Sequence, residues 1–303
     1  MKKFIKNIIL FTAFASVFYL CSLFIFGSYR FRKLKPNISY RLGGNTYTRL
    51  NEVKKINNID ILFLGSSHSY RGFDTRIFNK NGFNTFNLGS SAQTPIQTEM
   101  LLKRYLDKLQ PKLIIYEVYP PTLSIDGVES SLDIISNDKN DFYSYEMAFN
   151  INEIITYNTL LYATIRDIFQ LNDKYLKPNE KGQDKYIKGG FVEKQINYFS
   201  PQKFSMNKIN LNESQLKSFK KILNIIKEKD FKLLLVYAPI TKCLYSSYIN
   251  NEYFDTLMSS FADYYNFNEI MHLNDSLHFY DAHHLNQKGV ELFNEKILKI
   301  IDK

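Results

Sequence analysis

A chain of 303 residues, 45% of them hydrophobic, can build one large domain, or one domain with a small insertion, around a sizeable core. The formal charge is +9, but 39 Lys and Arg are scattered among 30 Asp and Glu with no aromatic–basic repeat, so a solvated basic surface is expected and nucleic-acid binding is not. Two cysteines, Cys21 and Cys243, exclude a disulfide framework and any Cys-x-x-Cys metal or redox motif.

The first element runs from Ile8 to Phe26, 19 positions without a charge. That is close to the roughly 20 residues a helix needs to cross the hydrocarbon core. The run is too long for a signal peptide, and bulky Phe24, Ile25 and Phe26 stand where a small-x-small cleavage site would be. Leu20 before Cys21 does not fit a lipoprotein cleavage box. Residues 1–29 are therefore expected to be an uncleaved single-pass anchor in the cytoplasmic (inner) membrane. Lys2, Lys3 and Lys6 precede the run, and Arg30, Arg32, Lys33 and Lys35 follow it, so the distribution of positive charge does not orient it. An outward-facing domain, in the periplasm or at the cell exterior, is the expectation.

Residues 30–57 read as a polar, basic connector. Strands are predicted at Asp60–Leu64, Asn84–Leu88, Lys112–Val118 and Phe231–Tyr237, with a weaker one near Glu269–Leu273. Helical patterns cover Thr75–Asn79, Pro95–Leu109, Leu216–Glu228, about Tyr253–Tyr265 and about Gln287–Ile301. Asn212 and Gln215 make a capping-box variant before the third of these. The βαβαβ beginning predicts an α/β fold with a parallel sheet between helices and right-handed crossovers. About residues 122–210 break the rhythm and read as an insertion of short helices and loops over one edge of the sheet, a lid or substrate platform or else a loosely packed excursion.

In such a sheet, ligands bind beyond the carboxyl ends of the strands. Gly65-Ser66-Ser67-His68, Gly89-Ser90-Ser91, Tyr119-Pro120-Pro121 and Pro239-Ile240-Thr241 all follow strands, and Asp281-Ala282-His283-His284 precedes the last helix. A serine at a strand end, with an Asp and a His three apart, can supply a nucleophile, a base and an orienting carboxylate. The bland alternatives are an N-cap for either serine and a helix-capping Asp281. His272, His278 and Asp275 match no standard ligand spacing, and no metal or cofactor is expected. A phosphate loop is excluded because Gly72 is not followed by Lys-Ser/Thr.

These blocks resemble the SGNH, or GDSL-type, hydrolase superfamily over about residues 58–302, the insertion apart. The resemblance implies a three-layer αβα, flavodoxin-like catalytic domain spanning 58–303, with Ser67 as nucleophile, Ser66 in place of the usual aspartate, His284 as base and Asp281 as its partner. It implies that backbone N–H groups of Ser67 and Gly89 bind the oxyanion. The family's third block, Gly-x-Asn, is replaced by Glu117-Val118-Tyr119-Pro120. Losing that asparagine would cost about 10²–10³ in rate unless another donor substitutes. Gln93, Tyr119 or a main-chain amide are the candidates, and His68 is a candidate pocket residue beside them. The departure resembles membrane-tethered members that modify envelope polymers. The expected function is thus O-acyl transfer or ester hydrolysis on a cell-envelope carbohydrate through an acyl-Ser67 intermediate, with a polytopic membrane O-acyltransferase as a candidate partner. The competing expectation is a catalytically silent glycan-binding or scaffold protein.

Overall fold

The computed structural model describes residues 1–27, 44–170 and 180–301. The basic residues expected to follow the anchor, and the first part of the connector, lie outside the described residues. Helix α1 (Lys2–Gly27) is long and apolar enough to cross a membrane, and most of its surface is exposed. The connector is not featureless: its described part contains α2 (Thr46–Val53). Thr46, Arg49, Leu50 and Val53 recur at helical spacing and are buried, so α2 belongs to the domain body.

The body opens with β1 (Ile61–Leu64), α3 (Ser67–Gly72), α4 (Thr75–Lys80), β2 (Thr85–Asn87), α5 (Pro95–Leu109) and β3 (Leu113–Glu117). The insertion follows with a 3₁₀ turn at Pro120–Leu123, then α6 (Val128–Asn137), α7 (Phe142–Ile151) and α8 (Ile154–Ile168). It continues as a small antiparallel sheet of β4 (Glu180–Lys181), β5 (Asp184–Ile187) and β6 (Phe191–Lys194). The alternation resumes with α9 (Glu213–Glu228), β7 (Lys232–Tyr237), α10 (Lys242–Tyr245), α11 (Asn251–Ser259), β8 (Asp263–Asn266), α12 (Phe267–Ile270), α13 (Asp275–His278) and α14 (Gln287–Ile301).

Among the described residues, five parallel strands form the central sheet in the order β2-β1-β3-β7-β8. Successive strand residues point to opposite faces, and both faces are covered, which is why the strands read as unbroken apolar runs. Leu62 and Leu64 of β1 join the core under α5, α9 and α11, while Ile61 and Phe63 join the core under α4, α12 and α14. The expected three-layer αβα architecture is what forms.

Three local expectations differ from the structure. The helix over Tyr253–Tyr265 stops at Ser259, and the last strand is Asp263–Asn266 rather than Glu269–Leu273. The reason lies in Tyr264 and Tyr265, which pack into opposite core layers as strand neighbours do, after which Asn266 caps α12. Asn212 caps α9 through the amides of Ser214 and Gln215, but Gln215 does not turn back to it. Its amide group instead accepts from Ile96 N and donates to the carbonyls of Ile125 and Asp126, tying the insertion to α5. Third, the insertion is not a loose excursion on one side. Met147, Ala148 and Ile151 of α7 join one core layer, and Phe191 of β6 joins the other.

Candidate active site

The turn that carries Ser67 is set by Gly65. Its φ of +132° lies where only glycine sits without strain, and a Cβ there would meet Glu117 at 2.8 Å. The chain can therefore leave β1 sharply, and Ser66 caps α3, its Oγ accepting from His68 N at 3.3 Å. Ser67 becomes the first residue of the helix, with its hydroxyl at the sheet's carboxyl edge.

The segment carrying His284 is held by the residues after β7. Thr241 donates both its backbone N–H and its Oγ to the carbonyl of Ala282, at 3.1 and 2.6 Å. Asp281 accepts from the backbone N–H groups of His283 (3.0 Å) and His284 (2.8 Å), curling the loop into a tight turn. His284 Nδ1 then lies 2.9 and 3.1 Å from the two Asp281 oxygens, and His284 Nε2 lies 2.8 Å from Ser67 Oγ. With Nδ1 donating to the carboxylate, Nε2 is left as acceptor for the serine proton, the tautomer a general base needs.

The electrostatics agree with that assignment. Burial alone would raise Asp281, but the hydrogen bond and charge of His284 hold its carboxyl well below the usual carboxylate range. Burial lowers His284 below the ordinary imidazole value, against the opposing pull of Asp281, which favours the neutral ring. Burial and the neighbouring imidazole of His284 lower His283 to about 4. Tyr280 stacks on His284 at 5.4 Å between ring centroids, and His68 stacks at 4.9 Å.

These groups face a cavity of about 420 Å³ lined by Ser67, His68, Tyr119, His283 and His284, with Ser91 and Ala92 on the same wall. His68 and Tyr119 both line this cavity, their rings 4.0 Å apart, though the Tyr119 hydroxyl pairs with that of Tyr248 at 3.2 Å. Two other expectations need correcting. Gly89 does not present its amide to the cavity, because that N–H donates to Asn87 Oδ1 at 2.9 Å. Instead Gly89 supports the turn from behind, where a Cβ would lie 2.9 Å from the Ser66 carbonyl. Gln93 is buried and spent as well, its Oε1 accepting from Ser90 Oγ (2.8 Å) and its Nε2 donating to Thr98 Oγ1 (2.9 Å). What lines the cavity nearby is Ser91-Ala92, with Ala92 in the left-handed region at φ 48°.

Sequence reasoning missed Glu117 as a site residue. It stands at the end of β3, fully buried, and its Oε2 accepts from Ser66 N (3.3 Å) and Ser66 Oγ (3.1 Å). Burial pushes its carboxyl up to about 8 against those hydrogen bonds, so it is mostly protonated at neutral pH. A lone acidic residue in an otherwise apolar strand was the available signal. Lys194 and Tyr280 were also missed; both line the cavity, with Lys194 Nζ 4.2 Å from the Tyr280 ring centre. Arg71 lines it too but is held by Asp184 of β5 at 3.0 and 2.8 Å.

Ligand nitrogens of His68, His283 and His284 come within 4.8 Å of one another, near enough to share a metal ion. Both His284 nitrogens are already engaged by Ser67 and Asp281, so ligation there would dismantle the base. Asp275 and His278, weighed as ligands from the sequence, have local structural work: Asp275 accepts from the amides of Lys242 and Cys243, and His278 Nδ1 accepts from Asn274 N.

No protein-family model and no curated protein matches the chain. Among solved structures it is similar to a candidate acylhydrolase from Bacteroides fragilis, at 10% identity over 86% of this chain and 96% of that one, with a TM-score of 0.42. It is also similar to a GDSL-like lipase from Bacteroides thetaiotaomicron, at 11% identity over 87% and 98%, with a TM-score of 0.40. The two sequence blocks that carry the resemblance to SGNH hydrolases, Ser67 in one and Asp281 with His284 in the other, meet in a single hydrogen-bonded array.

Proposed function

We propose that this chain is a serine-dependent ester enzyme of the SGNH type. The observation that carries the reading is the 2.8 Å contact between Ser67 Oγ and His284 Nε2, with Asp281 on the far nitrogen. Ser67 Oγ attacks the ester carbonyl carbon while His284 Nε2 takes its proton. The carbonyl oxygen becomes an oxyanion, bound by the Ser67 N–H at the start of α3 and by the backbone of the Ser91–Ala92 wall in place of Gly89. Collapse breaks the bond to the alcohol oxygen, and imidazolium His284 gives that oxygen the proton. Acyl-Ser67 remains. Water or a second hydroxyl, deprotonated by His284, then attacks it and regenerates the serine.

The acceptor we infer is a hydroxyl of a cell-envelope carbohydrate, with the domain facing outward from the cytoplasmic membrane. Support comes from α1, which would hold the domain at a membrane surface, and from a cavity walled by Tyr119 and Tyr280, whose flat faces suit sugar rings. A catalytically silent scaffold is disfavoured by the same triad, since a binding protein has no need of an oriented base.

The test is covalent labelling by a fluorophosphonate probe, then acetyl transfer. Ser67→Ala should abolish labelling and Ser66→Ala should keep it. Asp281→Asn should lower p-nitrophenyl acetate turnover by about 10⁴, and Ser67→Ala/His284→Ala should be no worse than Ser67→Ala alone. Labelling that survives Ser67→Ala would overturn the assignment. Given an activated acetyl donor and envelope oligosaccharides, acetate release undiminished by every acceptor would make the protein an esterase.

A further inference from the structure

We propose that the α7–α8 hairpin is a second membrane contact, lying in the interface of the bilayer that α1 crosses. On α7, Phe142, Tyr145 and Phe149 follow the spacing that puts them on one side of a helix, and they are exposed, Phe142 at 76% and Phe149 at 68%. The opposite side of α7 buries Ser144, Met147, Ala148 and Ile151. On α8, Ile154 (72% exposed), Leu161 and Ile168 recur at seven-residue intervals along one stripe, beside Ile155. Elsewhere in the domain large exposed apolar side chains are dispersed over many elements, as on any soluble surface. Here they form one face on two adjoining helices, which marks an interaction site.

The occupant follows from what already touches that face. Tyr19 of α1 donates a hydrogen bond to Asn158 Oδ1 of α8. Leu23 and Phe24 pack against Tyr162, and Gly27 comes so close to the Tyr162 ring that a Cβ there would lie 2.6 Å away. Tyr19 precedes Phe26, the end of the uncharged run, by seven positions, roughly 10 Å along a helix axis. The part of α8 at Asn158 therefore lies beside a segment of α1 that belongs within the membrane. A bilayer that surrounds α1 must reach the apolar face next to it. Asn150, Asn152 and Glu153 at the turn between the helices are exposed and polar, which sets the depth at the headgroup boundary rather than the hydrocarbon centre. Two contacts, one spanning and one lying flat, would fix the rotation of the domain relative to the membrane as well as its distance.

The chain contains no tryptophan, so a single introduced indole reports its own surroundings. The full chain is reconstituted in phosphatidylcholine and phosphatidylglycerol liposomes as Phe149→Trp, Ile154→Trp and, as the reference, Tyr253→Trp on the exposed side of α11. Circular dichroism checks that each variant folds. Phe149→Trp and Ile154→Trp should emit at shorter wavelength than Tyr253→Trp. Lipids brominated near the headgroup end of the acyl chain should quench them at least about twofold, as expected for burial 5–10 Å into the interface. Emission and quenching equal to those of Tyr253→Trp would overturn the proposal. A blue shift that brominated lipid does not quench would overturn it too, showing a face covered by protein; loss of that shift on dilution in lipid would identify a second copy as the cover.

Discussion

Ser66 and Ser67 are adjacent hydroxyls with different partners, and the difference is electrostatic. Ser67 faces a neutral imidazole that can take its proton; Ser66 faces a buried carboxyl that is itself mostly protonated. Glu117 has a consequence for stability. Its folded carboxyl titrates near 8, above the unfolded value of about 4.3, so the folded state binds more protons in the interval between them. Its contribution to stability is whole below the unfolded value and is lost as pH rises through about 8. The expected slope is at most about 1.4 kcal/mol per pH unit. Denaturant unfolding of the wild type from pH 5 to pH 9 should show this fall, and Glu117→Gln, which keeps the neutral form, should flatten it. An unchanged slope in Glu117→Gln would show that another group titrates there. Asp281 acts oppositely, its depressed carboxyl adding stability that disappears only in strong acid.

At the scale of elements, the hairpin β5–β6 is clamped to the body by glycines and by α2. Asn87 N donates to the Gly189 carbonyl at 2.8 Å, covering β2 at the sheet's edge. Buried Arg49 donates from Nε and Nη2 to the Gly190 carbonyl at 3.0 and 2.9 Å, and Glu52 accepts from Gly189 N and the Tyr186 hydroxyl. Gly190 has φ +96°, and a Cβ there would lie 2.3 Å from the Asn87 carbonyl oxygen. Gly190→Ala should therefore destabilise the protein by about 1–3 kcal/mol or more, read as a lower melting temperature. Because Asn87 also holds Ser69 and Gly89 behind Ser67, turnover by the proposed mechanism should fall with it. Arg71 and Lys194, the cations from this region of the cavity, would shift as well. A Gly190→Ala protein with unchanged melting and turnover would show that the hairpin relaxes freely.

The same elements show what could be read from residues alone. β1, β2, β3 and β7 were legible because both faces of a parallel sheet are buried, leaving short apolar runs between turn residues. β8 was not, since its Tyr264-Tyr265 pair also fits a helix continuing from α11. Ser67, Asp281 and His284 could be singled out because ester chemistry would use a hydroxyl at a strand end and an Asp and a His three apart, here just before the last helix. The Ser91–Ala92 wall of the cavity was not legible: Gly89-Ser90-Ser91 announces a turn, but which amide is engaged depends on Asn87 folding back onto Gly89. Likewise, α2 hid in a polar stretch whose four buried positions gain meaning only once α6, the core beside α5 and the β5–β6 turn lie against them.

For the whole molecule, the boundary between α1 and the packed body is the testable quantity. A chain starting at Arg30 keeps α2 and should fold, whereas one starting at Asn58 loses Arg49, Leu50 and Val53 from the packed body. It should melt lower and aggregate, because the face these residues cover becomes exposed. The full chain should stay with membranes through alkaline carbonate extraction. The chain from Arg30 should be extracted, yet should still sediment with liposomes through Phe149 and Ile154. Release of the full chain by carbonate would argue against a spanning α1.

Ser67 and His284 are 217 positions apart, and their contact has a temporal side. During synthesis the serine emerges early, at the end of the first strand, while its imidazole partner is still untranslated. Until the Asp281 turn has docked against β7, Ser67 is an ordinary alcohol, unable to acylate itself from any ester it meets. On the proposed mechanism, reactivity of Ser67 therefore waits on that long-range contact, and a nascent or misassembled copy that lacks it carries an unactivated serine.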